Sequence, residues 1–482
     1  MDYSGSLPSD QPGAAGESAL GDFTASPSLL RLVPLAVLVG ALAAGISLAL
    51  LDMIGFITNL LYYQRLSVHL VSPYANRLGA LAVLIPVLGG LVVGLMARFG
   101  SEQIRGHGIP EAMERILIGG SQVAPRWALL KPISSAVSIG TGGPFGAEGP
   151  IILTEGAVGS IAGQLVHLTA AQRRSLLVAG VAAGMSAVFG TPVAATLFGV
   201  ELLAFELRPR SMTLIGLAAA TADAIRMVMA HAGLVAPQPL FPIPGHAPLG
   251  GVVLLGAVVI GIAIGFAAWV MTQAVYRSED AFKKLRGHLH WMWWPTIGGL
   301  IIGLGGLVDP RALGVGYDTI HAELLGQLGV GALALLLCVK LAIWSCGLGS
   351  GTSGGILAPV LMMGAAIGAV LGHLLPGADP GVWALIGLSA ALSGVTPFTV
   401  HRDRLRVRAD PRSEQPARPP DRRDRRPPGQ RRRAQAFDPH REGRTTRFPR
   451  DARVRRRPAR SHLRARGHGH RRLHGHARAR RA

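Results

Sequence analysis

The sequence predicts an all-α protein that crosses a membrane many times and is built from two related halves. Long apolar runs recur from about Leu32 to about Thr396. A Gly/Pro-punctuated pattern in the first half returns in the second about 208 residues later. Several apolar segments also begin at a Gly/Pro break, which points to half-helices that end inside the protein.

The apolar runs are the first support. "LVPLAVLVGALAAGISLALL", "LGALAVLIPVLGGLVVGLMA" and "PLGGVVLLGAVVIGIAIGFAAWVM" each reach the roughly 20 residues a helix needs to cross a bilayer. A mean hydropathy of +0.37 with 49% apolar residues excludes an ordinary soluble enzyme. Residues 1–28 are rich in Ser, Gly, Pro and Asp and lack the basic start and apolar core of a signal peptide. They read as a disordered cytoplasmic arm.

The net charge of +21 suggests a nucleic-acid partner until it is located. Residues 401–482 hold 29 of the 48 Lys+Arg, all of them Arg, and 8 of the 27 Asp+Glu, which leaves 1–400 neutral with 19 of each sign. The tail, beginning "HRDRLRVRADPRSEQPARPP", has almost no apolar periodicity and cannot build a core. A nucleic-acid- or lipid-binding arm is one reading of it. The other, which we favour, is a GC-rich gene read out of frame, and no nucleic-acid partner is expected. Each Arg or Asp near the bilayer centre costs roughly 2.5–3.5 kcal/mol, so the text after Thr396 cannot supply the apolar helix the repeat calls for. Reading the DNA in its other frames after Thr396 tests this.

The repeat is the second support. "GHGIPEAMERIL" at 106–117 aligns with "GVGYDTIHAELL" at 314–325, and "AEGPIILTEGAVGSIAGQL" at 147–165 with "ILAPVLMMGAAIGAVLGHL" at 356–374. "SAVFGTP" at 186–192 then meets "LSGVTP" at 392–397. The expected organisation is a transmembrane region over 29–400, with repeats at about 32–210 and 250–400. The second repeat would be truncated, and the tail would fill 401–482. Duplicated halves with corresponding breaks point to a transport site between them.

The breaks are the third support. "RGHGIPEAME", "GPFGAEGPIIL" and "SGTSGGILAPVLM" share a glycine-rich approach, a proline in the first turn and an apolar continuation. Such a start needs no N–H at the proline and aims unpaired backbone N–H groups and about half a positive charge outward. Several of them converging would bind a small anion weakly enough to release it. Glu148 stands at one start, where its carboxylate can take an anion's place and, once protonated, swing away.

These motifs resemble those of the CLC family of chloride channels and proton/chloride antiporters: "GHGIP" for its GSGIP, "GAEGP" for its G-K/R-EGP and "GILAP" for its GxFxP. The resemblance runs from about Leu32 to Thr396. It implies a homodimer in the cell's inner membrane, cytoplasmic termini, two inverted-topology repeats in each subunit and no cofactor. It implies that chloride, with protons in the antiporters, is the cargo, and that Glu148 is the gate. The anion site would comprise His107, Gly108, Ile109, Pro110, Glu148, Gly149, Ile356 and Leu357. His107 stands where the family has serine, Ala147 where it has a basic residue, and Leu357 where it has phenylalanine. His107 serves either through its imidazole N–H or through its backbone alone. The family's inner tyrosine would lie beyond residue 400 and has no match. Its inner proton glutamate falls at Leu202 in an ungapped match from Pro192, with Glu201 just before, or at Glu206 if the match is anchored on "RP". We take the ungapped match, which implies weak proton coupling. Sequence leaves chloride, nitrate and fluoride open, with chloride favoured.

The remaining features read plainly. Glu155, seven residues after Glu148, shares its helix face and either bonds a neighbouring break or lines the pathway. "HWMWWP" reads as an interfacial aromatic belt. Arg173, Arg174, Lys283, Lys284 and Arg286 read as solvated loop charges. Cys338 and Cys346, two turns apart in one apolar helix, read as packing residues. Nothing resembles a metal cluster, a nucleotide loop or a hydrolytic triad.

Overall fold

The computed structural model describes residues 27–106, 108, 125–204, 209–235, 240–241 and 250–409. Long uninterrupted apolar stretches fold as long helices: α1 (Pro27–Tyr63) and α8 (Gly251–Lys284). α2 (Leu84–Leu95) runs on through a π-type turn, Met96–Gly100. Where glycine and proline interrupt the sequence, the helices are shorter: α3 (Pro125–Gly140), α4 (Glu148–Leu165), α5 (Ala170–Phe189), α6 (Pro192–Gly199) and α7 (Pro209–His231). The second half continues as α9 (Trp294–Val308), α10 (Tyr317–Leu324), α11 (Val330–Gly349), α12 (Leu357–Gly372) and α13 (Pro380–Ala409). Among the described residues, six helical stretches are apolar and long enough to cross a membrane: Leu32–Tyr63, Gly79–Gly100, Pro209–His231, Gly251–Gly287, Trp291–Val308 and Val330–Gly349.

The duplication is visible element by element. α4 and α12 begin 209 positions apart, as do the ends of α3 and α11, and α2 and α9 begin 210 apart. Packing repeats as well: α3 against α4 and α4 against α5 in the first half, α11 against α12 and α12 against α13 in the second. One apolar core runs through both halves, from Leu32 and Ile54 through Ile151 and Val178 to Met362 and Trp383.

The halves differ at their ends. A capping box, Thr169 with Gln172, opens α5, and left-handed Gly190 (φ 68°) closes it before Pro192 starts α6. The matching "LSGVTP" was expected to break in the same way. Instead α13 runs unbroken from Pro380 through Pro397 to Ala409, nine residues past the expected boundary at 400. No residue there adopts the left-handed conformation that ends α5. Arg173 and Arg174 lie in the first turns of α5, and Lys283 and Lys284 in the last turn of α8, so these charges are helical and not in loops. Lys283 pairs with Asp280 at 3.1 Å. Cys338 and Cys346 both lie in α11 as free thiols, but Cys338 is exposed on its outer face and not packed.

Candidate functional site

Two helix starts meet in the middle of the fold. α4 begins at Glu148 and α12 at Leu357; the first helical bonds run from Ile151 N–H to Ala147 O and from Val360 N–H to Ile356 O, and Pro150 and Pro359 stand where no N–H is required. Neither preceding residue, Ala147 or Ile356, caps its helix with a side chain, so the first-turn N–H groups remain available. The approach loops hold each other. Gly146 N–H donates to Gly355 O at 3.1 Å, and Gly355 N–H donates to Gly146 O at 2.8 Å. These glycines are repeat mates, 209 positions apart. Ser353, on the α12 approach, takes a 2.7 Å contact from Ser135 and a 3.2 Å bond from Ser134 on α3.

The Glu148 carboxylate fills the space between these starts. The residue is 1% exposed, and its Oε1 accepts a hydrogen bond from Tyr317 Oη at 3.2 Å. A Cβ placed on Gly146 would collide with Oε2, and one on Gly355 would lie 3.1 Å from it. The Ala358 N–H, in the first turn of α12, is aimed at the carboxylate, while Oε2 has no partner of strict hydrogen-bond geometry. A carboxyl group therefore sits at the α12 N-terminus, beside buried Ile356 and Leu357.

Two lysines brace the approaches in the same way. Lys131 Nζ on α3 donates to the carbonyls of Ile104 (2.8 Å) and Gly106 (2.7 Å). Lys340 Nζ on α11 donates to those of Ala312 (2.9 Å) and Gly314 (3.2 Å). Both are essentially fully buried. Every member of the second set lies 208 or 209 positions after its counterpart, so the duplication preserves this contact. Lys340 in addition interacts electrostatically with both Glu148 and Glu323. Sequence reasoning missed both lysines, along with Tyr317 and Glu323. The available signal was one lysine standing alone in each of two apolar helices at the repeat spacing.

The expected site residues fall as follows. Gly108 is buried with φ +96°, and a Cβ there would strike the Gly149 carbonyl, so only glycine brings this segment against the start of α4. Gly106 pairs with Ser353 across the halves. His107, Ile109, Pro110 and Glu206 lie outside the described residues. Leu202 is 2% exposed, in the core, whereas Glu201 beside it is exposed, and neither reaches Glu148 by a hydrogen bond or ion pair among the described residues. Glu155 is fully buried, and its Oε1 accepts from Ser47 of α1 at 2.5 Å; its partner is thus a long helix and not a break. Two rings of "HWMWWP" hold a cation: Arg105 lies over Trp291 (4.9 Å) and Trp294 (5.6 Å), and Trp294 is 6% exposed.

Comparison with known proteins agrees with this geometry. Residues 88–401 match the family model described as "Voltage gated chloride channel". A chloride channel protein described as ClcB-like, from Ralstonia nicotianae, is 30% identical over 328 residues, 65% of this chain and 74% of that protein. The H(+)/Cl(-) exchange transporter ClcA of Citrobacter koseri is 28% identical over 380 residues, 75% of this chain and 78% of that one. In fold, the chain resembles the crystal structure of a slow cyanobacterial Cl-/H+ antiporter, with a TM-score of 0.64 at 21% identity, covering 77% of this chain and 86% of that one. It also resembles a CLC-type fluoride/proton antiporter, with a TM-score of 0.61 at 21% identity over 77% and 88%. With six helices among the described residues long and apolar enough to span, two Gly/Pro breaks joined through Gly146 and Gly355, and a family match over residues 88–401, this multi-pass membrane protein belongs to the voltage-gated chloride channel family.

Proposed function

We propose that this chain carries chloride, or a similar small anion, across the cell's inner membrane, and that Glu148 is the gate. The observation that carries the reading is the seat of the Glu148 carboxylate. It lies at the uncapped start of α12, against Gly146 and Gly355, where helix-end N–H groups would otherwise receive an anion. A carboxylate and a chloride compete for such a seat, and a proton on Glu148 removes the competitor. The relatives' descriptions as chloride channel and H(+)/Cl(-) exchange proteins support the choice of cargo. The remaining anion-site members are Gly108, Gly149, Ile356 and Leu357, with His107, Ile109 and Pro110 from the preceding break. A homodimer with cytoplasmic termini accords with the family.

The test is anion flux in liposomes. Glu148→Ala leaves flux intact or faster and removes its dependence on pH, whereas a pH dependence that survives the substitution rules out the gate. The family match ends at residue 401, where the text turns to "HRDRLRVRA". This favours a second reading, in which residues beyond that point do not belong to the transport fold and the chain as written transports poorly. Running the assay on the given chain beside a frame-corrected version separates the two.

A further inference from the structure

Glu323 lies outside the anion seat, yet it is one of the most enclosed acids in the molecule. It sits near the end of α10 at 1% exposure, and neither carboxylate oxygen has a hydrogen-bond partner. The helices packed on α10 are α12 and α13. The whole of α12, and α13 from Pro380 to Gly394, carry no ionisable side chain. On α10 itself Asp318 is exposed and interacts with His321, which is only partly buried. The charge that faces Glu323 comes from α11: Lys340, buried at 0% exposure and facing Glu148 as well.

Two buried carboxylates thus interact electrostatically with one buried ammonium, which itself donates to the Ala312 and Gly314 carbonyls. With both acids ionised the group carries a net negative charge, and with one protonated it is neutral. Burying uncompensated charge costs several kcal/mol, so the neutral arrangement is favoured. Glu148 has a hydroxyl donor and a helix N-terminus to stabilise its ionised form, whereas Glu323 has neither.

We propose that Glu323 is a second proton-binding site, coupled to Glu148 through the Lys340 ammonium they share. While the Glu148 carboxylate occupies the seat, the proton of the triad resides on Glu323. When Glu148 binds a proton and leaves, the ammonium is freed to stabilise Glu323 as a carboxylate, so the proton equilibrium at Glu323 shifts toward its ionised form. The two acids therefore titrate as one coupled pair, and the protonation of one opposes that of the other.

The experiment is infrared spectroscopy of the full-length chain in lipid vesicles, with carbon-13-labelled glutamate, reading the carbonyl stretch of protonated carboxyl groups. A Glu155→Gln background removes the remaining buried glutamate among the described residues besides Glu148 and Glu323, and the label separates glutamate from the buried Asp223 and Asp309. At neutral pH a protonated-carboxyl band is expected, and Glu323→Gln should abolish it. Glu148→Gln should also weaken it, because Lys340 then has Glu323 as its one carboxylate partner. A band indifferent to Glu323→Gln overturns the proposal. If Glu323→Gln does not fold, Glu323→Asp should shift the band, and an unshifted band is equally fatal. The signal needs no transport, so it stands or falls apart from the gate reading, which the flux of Glu148→Ala decides.

Discussion

The Tyr317 hydroxyl donates to Glu148 Oε1 at 3.2 Å, so the first side chain of α10, in the second half, latches the first acid of α4, in the first. The ring that carries this hydroxyl is wedged edge-on between Phe189 (6.4 Å) and Phe241 (5.8 Å), which limits its freedom to turn away. A hydrogen bond to a charged acceptor contributes roughly 1.5–3 kcal/mol, equivalent to tenfold or more in an equilibrium. Tyr317→Phe keeps the ring and loses the latch. At alkaline pH, where Glu148 is ionised and seated, anion flux in liposomes should rise about tenfold. An unchanged flux would show that the helix end alone holds the carboxylate.

Gly184 on α5 is required by Glu155. A Cβ at position 184 would collide with Glu155 Oε2, an oxygen with no other partner. Gly184→Ala should therefore destabilise the fold by about 1–3 kcal/mol, the usual cost of overpacking. Glu155→Ala in the same chain removes the clash and should recover much of the loss. Thermal unfolding in detergent measures both, and a double variant no more stable than Gly184→Ala would place the strain elsewhere.

Lys131 should matter mainly for stability. Its ammonium satisfies the Ile104 and Gly106 carbonyls at the approach to the first break, and Gly106 also pairs with Ser353. Lys131→Met fills a similar volume and abandons both carbonyls. At about 1–3 kcal/mol for each buried group left unpaired, a loss of about 2 kcal/mol or more is expected. An unaltered unfolding temperature would mean that water replaces the ammonium there.

Proton coupling should be weak. The ungapped match places Leu202 at the family's inner proton position, and Leu202 is buried among apolar side chains while Glu201 faces outward. A chloride gradient across liposomes should then drive little proton movement, and Glu206→Gln should change it little. Robust uphill proton pumping that Glu206→Gln abolishes would put the inner acid at 206.

What the sequence determined by itself is what depends on neighbours along the chain. Apolar run length set the long helices α1 and α8, since covering a bilayer demands about 20 apolar residues. Glycine and proline set the starts of α4 and α12, because those residues act through their own backbone torsions and missing N–H. The repeat offset, read from three short matches, recurs in the helix boundaries. The same local logic failed at "LSGVTP", where α13 carries a proline through its length without the left-handed glycine that stops α5.

Only the tertiary structure decided which groups converge. Tyr317 meets Glu148 across 169 positions, Ser47 meets Glu155 across 108, and Gly146 meets Gly355 across the whole repeat. No periodicity encodes such pairs, because a side chain's direction is local while its neighbour is chosen by how helices pack. Lys131 and Lys340 show the limit most plainly. In the sequence each is the one lysine of a mostly apolar helix, a costly charge to bury. In the fold each is compensated by two carbonyls from a turn 25 to 28 residues earlier, and one of them also interacts electrostatically with two acids. Burial makes those charges expensive, and only packing supplies the partners that offset the expense.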